Sequence, residues 1–273
     1  MLLGIYIKNR ELVGNPRLAE MEKALVADGN ELYSREDVRK GTDMVLSVGG
    51  DGTFLSASKR VADSGIPILG VNLGRLGFLS ENRPEDIPAA LKNADYELEN
   101  RTMLKASLPQ TAEVPDSLSF WPYALNEITV HRSGAAMLGI NVSVNGDSLP
   151  TYWADGLLVA TSSGSTAYSL SAGGPICTPD AKVLIIAPIA PHNLNVRPLV
   201  VPENTRINIS TVSRDGNVIL TMDNRTLTVD DSTSIDVSVA QFSLKRVRLP
   251  KSSFVKALTS KLFWGEDIRN NAD

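Results

Sequence analysis

Val45-Leu46-Ser47-Val48-Gly49-Gly50-Asp51-Gly52-Thr53 holds a strand, a break and the start of a helix in nine residues. The apolar, β-branched run stops at three glycines set around one carboxylate, and Phe54, Leu55, Ala57, Val61 and Ala62 then recur at helical spacing towards Gly65. A strand that opens a helix through glycines offers unhindered N–H groups at the positive end of a helix dipole, an anion site. Gly49, Gly50, Gly52 and Thr53 are the candidate phosphate-binding residues. No Gly-x-x-x-x-Gly-Lys-[Ser/Thr] is present, and the third glycine of a dinucleotide fingerprint would fall on Leu55. Asp51 is out of place in a loop that holds anions, because a carboxylate repels phosphate. It either shares a divalent cation with the phosphates or takes the proton of an attacking hydroxyl, and both are phosphoryl-transfer chemistry. The plainer alternative is an Asp that caps the following helix.

Outward from this stretch, strands and helices alternate. Leu2–Ile7 reads as a buried strand, Asn15-Pro16 as a helix start, and Leu18, Met21 and Leu25 as that helix's inner face before Gly29. A short strand at Glu31–Tyr33, a strand at Ile66–Val71 and a helix from Pro84 to Lys92 follow. This alternation predicts a Rossmann-like parallel sheet with ligands at the C-terminal edge of its strands. Gly70-Val71-Asn72-Leu73-Gly74-Arg75-Leu76-Gly77-Phe78-Leu79 leaves that edge. Its glycines suggest backbone exposed to a ligand, with Arg75 available for phosphate and Leu76, Phe78 and Leu79 tucked into the core.

Near Asn100 the pattern changes to short strands of period two, which suggests a sandwich-like β domain. Ile140–Val144 followed by Asn145-Gly146 signals a hairpin. Val218–Met222, Thr226–Val229, Ile235–Val239 and Phe242–Val247 extend the series, and Gln110–Ser119 reads as a mobile loop. The last amphipathic segment, Ser252 to Phe263, is expected to form a helix returning to the first domain. The boundaries expected are residues 1–98, 99–249 and 250–273.

Inside the β region, Asp155–Ser171 breaks the alternation: a strand (Leu157–Thr161), a Ser/Gly turn and a short helix ended by Gly173-Gly174-Pro175. Small hydroxyls at a helix start hydrogen-bond a sugar or base, and Tyr168 can stack on a flat ring; alternatively Ser163 or Ser165 caps the helix. Gly164-Ser165-Thr166-Ala167 is not the Gly-x-Ser-x-Gly of a serine hydrolase. Asn126-Glu127 pairs an amide suited to an adenine edge with a carboxylate suited to ribose hydroxyls.

The 273 residues, 42% apolar and 21% charged, allow one large or two modest globular domains. A net charge of −4 argues against nucleic acid or anionic membrane as a partner. Cys177 alone makes no internal disulfide or Cys-based zinc site, and His131 and His192 are too few for a multi-histidine centre. No residue is therefore expected to be a resident metal ligand. Neither a signal peptide nor an apolar run of about 18 residues is found, so a cytoplasmic location is expected.

Taken together, Gly49–Thr53, Gly70–Leu79, Asn126-Glu127, Asp155–Ser171 with Gly173-Gly174-Pro175, and Ala187–His192 through Arg197–Pro202 resemble the NAD kinases over nearly the whole chain. Gly-Gly-Asp-Gly alone is shared with lipid kinases and phosphofructokinase relatives; the long Asp155–Ser171 segment is more specific. The resemblance implies transfer of a phosphoryl group from ATP, or in some members polyphosphate, to the 2′-hydroxyl of the adenosine ribose of NAD. It implies Asp51 as general base, with Gly52 in the same loop, Asn126 on the adenine and Glu127 on the ribose. Asp155 would contact the nicotinamide end, and Thr166, Ala167, Tyr168, Ser169, Leu170 and Ser171 would line the pocket, with Ala190 nearby. A divalent cation, magnesium above all, would come with the nucleotide phosphates, and a homodimer or homotetramer is implied. A lipid- or sugar-directed relative and a non-catalytic NAD sensor are the alternatives. Two positions depart from the family pattern. Trp153 stands where a basic residue is frequent, and Asp223-Asn224-Arg225 stands for Asp-Gly-Gln, with Asn224 able to take the left-handed conformation of the missing glycine.

Overall fold

A computed structural model describes residues 1–34, 37–74, 77–109 and 121–265 of the chain. Arg75 and Leu76, and the Gln110–Ser119 loop, lie outside the described residues. The chain forms two compact units, Met1–Asn100 with Leu244–Asp273, and Arg101–Ser243. It leaves the first unit within the strand Glu97–Ser107 and returns within the strand Ile235–Arg248.

In the first unit the strands Glu31–Tyr33, Leu2–Ile7, Met44–Val48 and Ile68–Val71 lie side by side in that order, all parallel. The returning strand adds a fifth parallel member through Arg246 opposite Ile68. Met44–Val48 is buried at every position, as a strand covered on both faces must be. The helix Pro16–Ala27 starts where Asn15 Oδ1 accepts the Arg17 N–H at 3.0 Å, and it buries Leu18, Met21 and Leu25. The helix expected from Pro84 to Lys92 is divided into a 3-10 turn, Pro84–Asp86, and an α-helix, Ile87–Lys92. Pro88 lacks the N–H that would have reached back to Pro84. The last helix, Phe254–Leu262, sets Phe254 against Phe78 with ring centroids 6.1 Å apart. Among the described residues no helix is long and apolar enough to cross a membrane.

The second unit is built of antiparallel sheets. One follows the order Leu199–Pro202, Val183–Ile189, Gly156–Thr161, Glu127–Arg132, Asn217–Met222 and Arg225–Asp230. Opposite it run Tyr152–Ala154, Leu138–Val144, Ile207–Val212 and the first part of Ile235–Arg248. Ile128, Val130, Leu157, Val159, Leu184 and Ile186 of one sheet share a core with Ile140, Val142, Ile207, Ile209, Ile235 and Val237 of the other. This is a sandwich. On the outer face of the first sheet Leu158, Ala160, Ile185 and Ala187 are buried too, against Ala172 and Cys177. Double coverage accounts for the unbroken apolar run at Leu157–Ala160. Asn145 and Gly146 both have positive φ, 53° and 97°, and close the expected hairpin.

The two strands expected at Ile235–Val239 and Phe242–Val247 are one strand, Ile235–Arg248. Its buried positions pass from odd numbers (235, 237) to even ones (240, 244, 246), joined near the end by Val247. That change of phase mimics a break, although no Gly or Pro interrupts the backbone.

Candidate active site

The first unit presents the glycine loop at the end of Met44–Val48. Gly49 takes φ +144°, and a Cβ there would run into Thr53, so the loop needs a glycine at this position. Gly50 is the N-cap of the helix Asp51–Val61, and Thr53 and Phe54 donate N–H bonds to its carbonyl at 2.9 and 3.2 Å. A Cβ at Gly50 or Gly52 would meet nothing within 4 Å, so this face of the loop is open.

Asp51 does not cap the helix. Its Oδ2 accepts the Phe78 N–H at 2.8 Å, and its Oδ1 accepts the N–H groups of Leu79 and Ser80 at 3.0 and 2.9 Å. A carboxylate has about four acceptor positions, so one remains, on Oδ2. The turn at residues 77–80 is closed by Gly77 N–H to Ser80 O at 2.8 Å. Gly77 is glycine because a Cβ would enter the Asp51 carboxylate. The backbone that was expected to face a ligand here faces Asp51. Of the apolar residues expected in the core, Leu79 is buried and Phe78 is half-buried against Phe254.

The first unit also supplies two cations to this turn. Arg246 Nε donates to Leu79 O at 3.3 Å while its guanidinium pairs with Glu81 and, at 2.8 Å, with Glu99. Lys261 Nζ donates to Gly77 O and sits 4.5 Å from the centre of the Phe78 ring. Sequence reasoning passed over both. Lys261 follows Phe254 by seven residues, on the apolar face of its helix, and a charge on an apolar stripe was the available signal.

In the second unit Asn126, Glu127 and Tyr168 come together. Gly164 backs directly onto the Asn126 main chain, where a Cβ would collide. Tyr168, first residue of the short helix Tyr168–Ser171, donates its N–H to the Glu127 carboxylate. The Tyr168 ring stacks on His131 at 5.9 Å and 13°, and the side chain is partly exposed. Thr166, Ala167 and Leu170 are half-buried, Ser169 is buried, and Ser171 and Ala190 are exposed. Ala190 takes φ +47°, which is costly for a residue with a Cβ. Asp155 is paired with Arg132, Oδ1 to Nε at 2.8 Å. Neither Ser163 nor Ser165 caps a helix. Ser165 Oγ donates to Ser162 O at 2.7 Å and accepts the Cys177 N–H at 3.0 Å, a structural role.

Glu127 is buried with no partner on Oε2. Burial first, then the charge of Asp223, raises its pKa to about 8, opposed by the Tyr168 N–H. The folded chain therefore keeps a proton that the unfolded chain releases near 4.5. The stability this proton supports is complete below the lower value and is lost as pH rises through the upper one. Glu127→Gln is expected to melt several degrees above the parent near about pH 9, with the gap closing towards about pH 5; thermal melts across that range check it.

Asp223 is what the sequence reading missed. It accepts the N–H groups of Leu125, Asn126 and Glu127 at 2.9, 2.8 and 3.3 Å. Arg225, two residues on, donates to the carbonyls of Trp121 and Tyr123. The hairpin turn thus grips the Trp121–Glu127 segment through both kinds of backbone group. Positive φ falls on Asp223 (52°) and not, as expected, on Asn224. Trp153, the other departure, lays its ring across Gly139 of the neighbouring strand. His192 joins its loop to the Trp153 carbonyl by its main-chain N–H at 2.8 Å.

A family model for the ATP-NAD kinase N-terminal domain matches residues 13–95, and one for the C-terminal domain matches residues 125–249. The NAD kinase of Flavobacterium psychrophilum is 43% identical over 252 residues, 91% of this chain and 85% of that one. That of Bacteroides fragilis is 43% identical over 231 residues, 83% and 78% of the two chains. The crystal structure of an NAD kinase from Archaeoglobus fulgidus in complex with ATP matches with a TM-score of 0.74 and 30% identity, over 92% of this chain and 95% of that one. Yeast NADH kinase complexed with NADH, at 24% identity, shares the fold with a TM-score of 0.83, over 98% and 89%. By both domain models and by identity over most of its length, the chain belongs to the NAD kinase family.

Proposed function

We propose that the chain transfers the terminal phosphoryl group of ATP to the 2′-hydroxyl of the adenosine ribose of NAD, giving NADP, with Asp51 as general base. As an NAD kinase it is a phosphotransferase. The observation that carries the residue assignment is Asp51 itself, held in an open glycine loop by three successive N–H donors with one acceptor position left. A ribose hydroxyl is barely acidic. In a loose transition state its proton moves late, and a fixed carboxylate receives it as the new P–O bond forms. The loop of Gly49, Gly50, Gly52 and Thr53, at the start of the helix Asp51–Val61, holds donor phosphate through the N–H groups of Gly50 and Gly52 and the Thr53 hydroxyl, since the N–H groups of Gly49 and Thr53 are bonded to Val71 O and Gly50 O.

Asn126 reads the adenine edge and Glu127 the ribose. A buried polar atom without a partner, as Glu127 Oε2, is satisfied by a sugar hydroxyl, which accepts from the protonated acid or donates to the carboxylate. Tyr168 offers its partly exposed ring for stacking, Thr166 to Ser171 and Ala190 line the pocket, and Asp155 meets the nicotinamide end. Among the described residues no group of three or more His, Cys, Asp or Glu side chains suits a metal ion. A divalent cation, magnesium in this reading, enters on the phosphates as part of the donor and neutralises their charge. The working form is a cytoplasmic homodimer or homotetramer.

The test is NADP formation from NAD or NADH, with ATP or polyphosphate as donor and magnesium present. NADP from NAD and ATP is the expected product. Binding of NAD without NADP under any donor would leave a sensor, and phosphorylation of diacylglycerol instead would leave a lipid kinase.

A further inference from the structure

We propose that Lys261, on the C-terminal helix, is a positioning residue for Asp51, acting through the peptide bond that joins Gly77 to Phe78. The proposal rests on Asp51 being the base. The carbonyl of that peptide accepts the Lys261 ammonium, and its N–H donates to Asp51 Oδ2. The same arrangement recurs two peptides further on. The carbonyl of Leu79 accepts the Arg246 guanidinium, and the N–H of that peptide, from Ser80, donates to Asp51 Oδ1. Each oxygen of the carboxylate is thus gripped by a peptide whose far end faces a cation.

A cation on a carbonyl polarises the whole amide, and hydrogen bonds in such chains strengthen one another by about 10–30%. The ammonium also fixes the turn mechanically, because it lies over the Phe78 ring and Phe78 packs on Phe254 of the same helix. Lys261 is half-buried. Burial lowers its pKa, the charges of Glu81 and Asp51 raise it, and Arg246 lowers it again. Arg246 is almost wholly buried and bound to two carboxylates, so it also holds the unit together. Lys261 is the member of the pair that can be changed with less damage to the fold.

The experiment is a double-mutant cycle on the full chain with NAD and ATP–magnesium. Lys261→Met is expected to lower kcat about 10–100-fold, the effect of a small misplacement of a reacting group, with both KM values within about two-fold. Lys261→Arg, which keeps a charged donor, is expected to stay within about three-fold of the parent. In an Asp51→Asn background Lys261→Met is expected to cost less than about two-fold more, because no carboxylate is left to position. An equal loss in both backgrounds would overturn the proposal and leave Lys261 as a docking residue for its helix. A raised KM for ATP with kcat kept would overturn it too, and put the ammonium on donor phosphate. Should Lys261→Met fail to fold, Lys261→Gln, a neutral donor of similar length, carries the same cycle. Near-parent turnover of Asp51→Asn by itself is the separate failure of the base assignment.

Discussion

Asp51→Asn is expected to lose roughly 10²–10⁴-fold in kcat while NAD affinity changes only modestly. Asn keeps one acceptor oxygen, enough for the Leu79 and Ser80 donors, but turns its NH₂ towards the Phe78 N–H. The substitution therefore removes the base and loosens one of the three bonds that hold the turn at residues 77–80. A small fall in Tm accompanies the loss, too small to explain it. Steady-state kinetics, NAD titration and the magnesium dependence of turnover separate the roles. Turnover near that of the parent would reject the base, and a loss repaired by excess magnesium would make Asp51 an ion ligand instead.

The second large effect is expected far along the sequence. Asp223→Ala strands the N–H groups of Leu125, Asn126 and Glu127, and a buried donor left unmet costs about 1–3 kcal/mol. Part of that cost is returned, because Asp223 is itself a half-buried acid whose charge opposes Glu127; desolvation raises its pKa. The net expectation is a Tm lower by several degrees and a KM for NAD raised about 10²-fold, with kcat far less affected. Asp223→Asn, which keeps one acceptor, falls between. Removing this charge also eases the ionisation of Glu127, so the pH at which Glu127 titrates moves down. An unchanged KM for NAD would show that the Asn126-Glu127 backbone needs no such grip.

Much of the fold was legible because its signals are local. Met44–Val48 breaking into glycines, Asn15-Pro16 opening a helix and Asn145-Gly146 closing a hairpin each need only a few neighbouring residues. Asp51 stood out as a candidate for the same reason, being the wrong charge for its loop. What stayed hidden depends on partners distant in sequence. Nothing near Gly77 announces that its missing side chain makes room for a carboxylate 26 positions earlier. Asp223 looked like a turn residue because its three partners lie nearly a hundred residues before it. The Ile235–Arg248 strand was divided in reading because its buried phase changes midway, where its first part serves the sandwich and its end joins the parallel sheet.

The return of that strand has a consequence for synthesis on the ribosome. Asp51 and the turn at residues 77–80 leave the exit tunnel early, but Arg246 and Lys261 follow only after the whole of Arg101–Ser243 has been made. Domains that fold as they emerge begin with the N-terminal one, yet here that unit is completed only by residues made after the second unit. With Asp51 as the proposed base, a nascent chain holds that carboxylate without the two cations behind it until Arg101–Ser243 and the residues after it have been made.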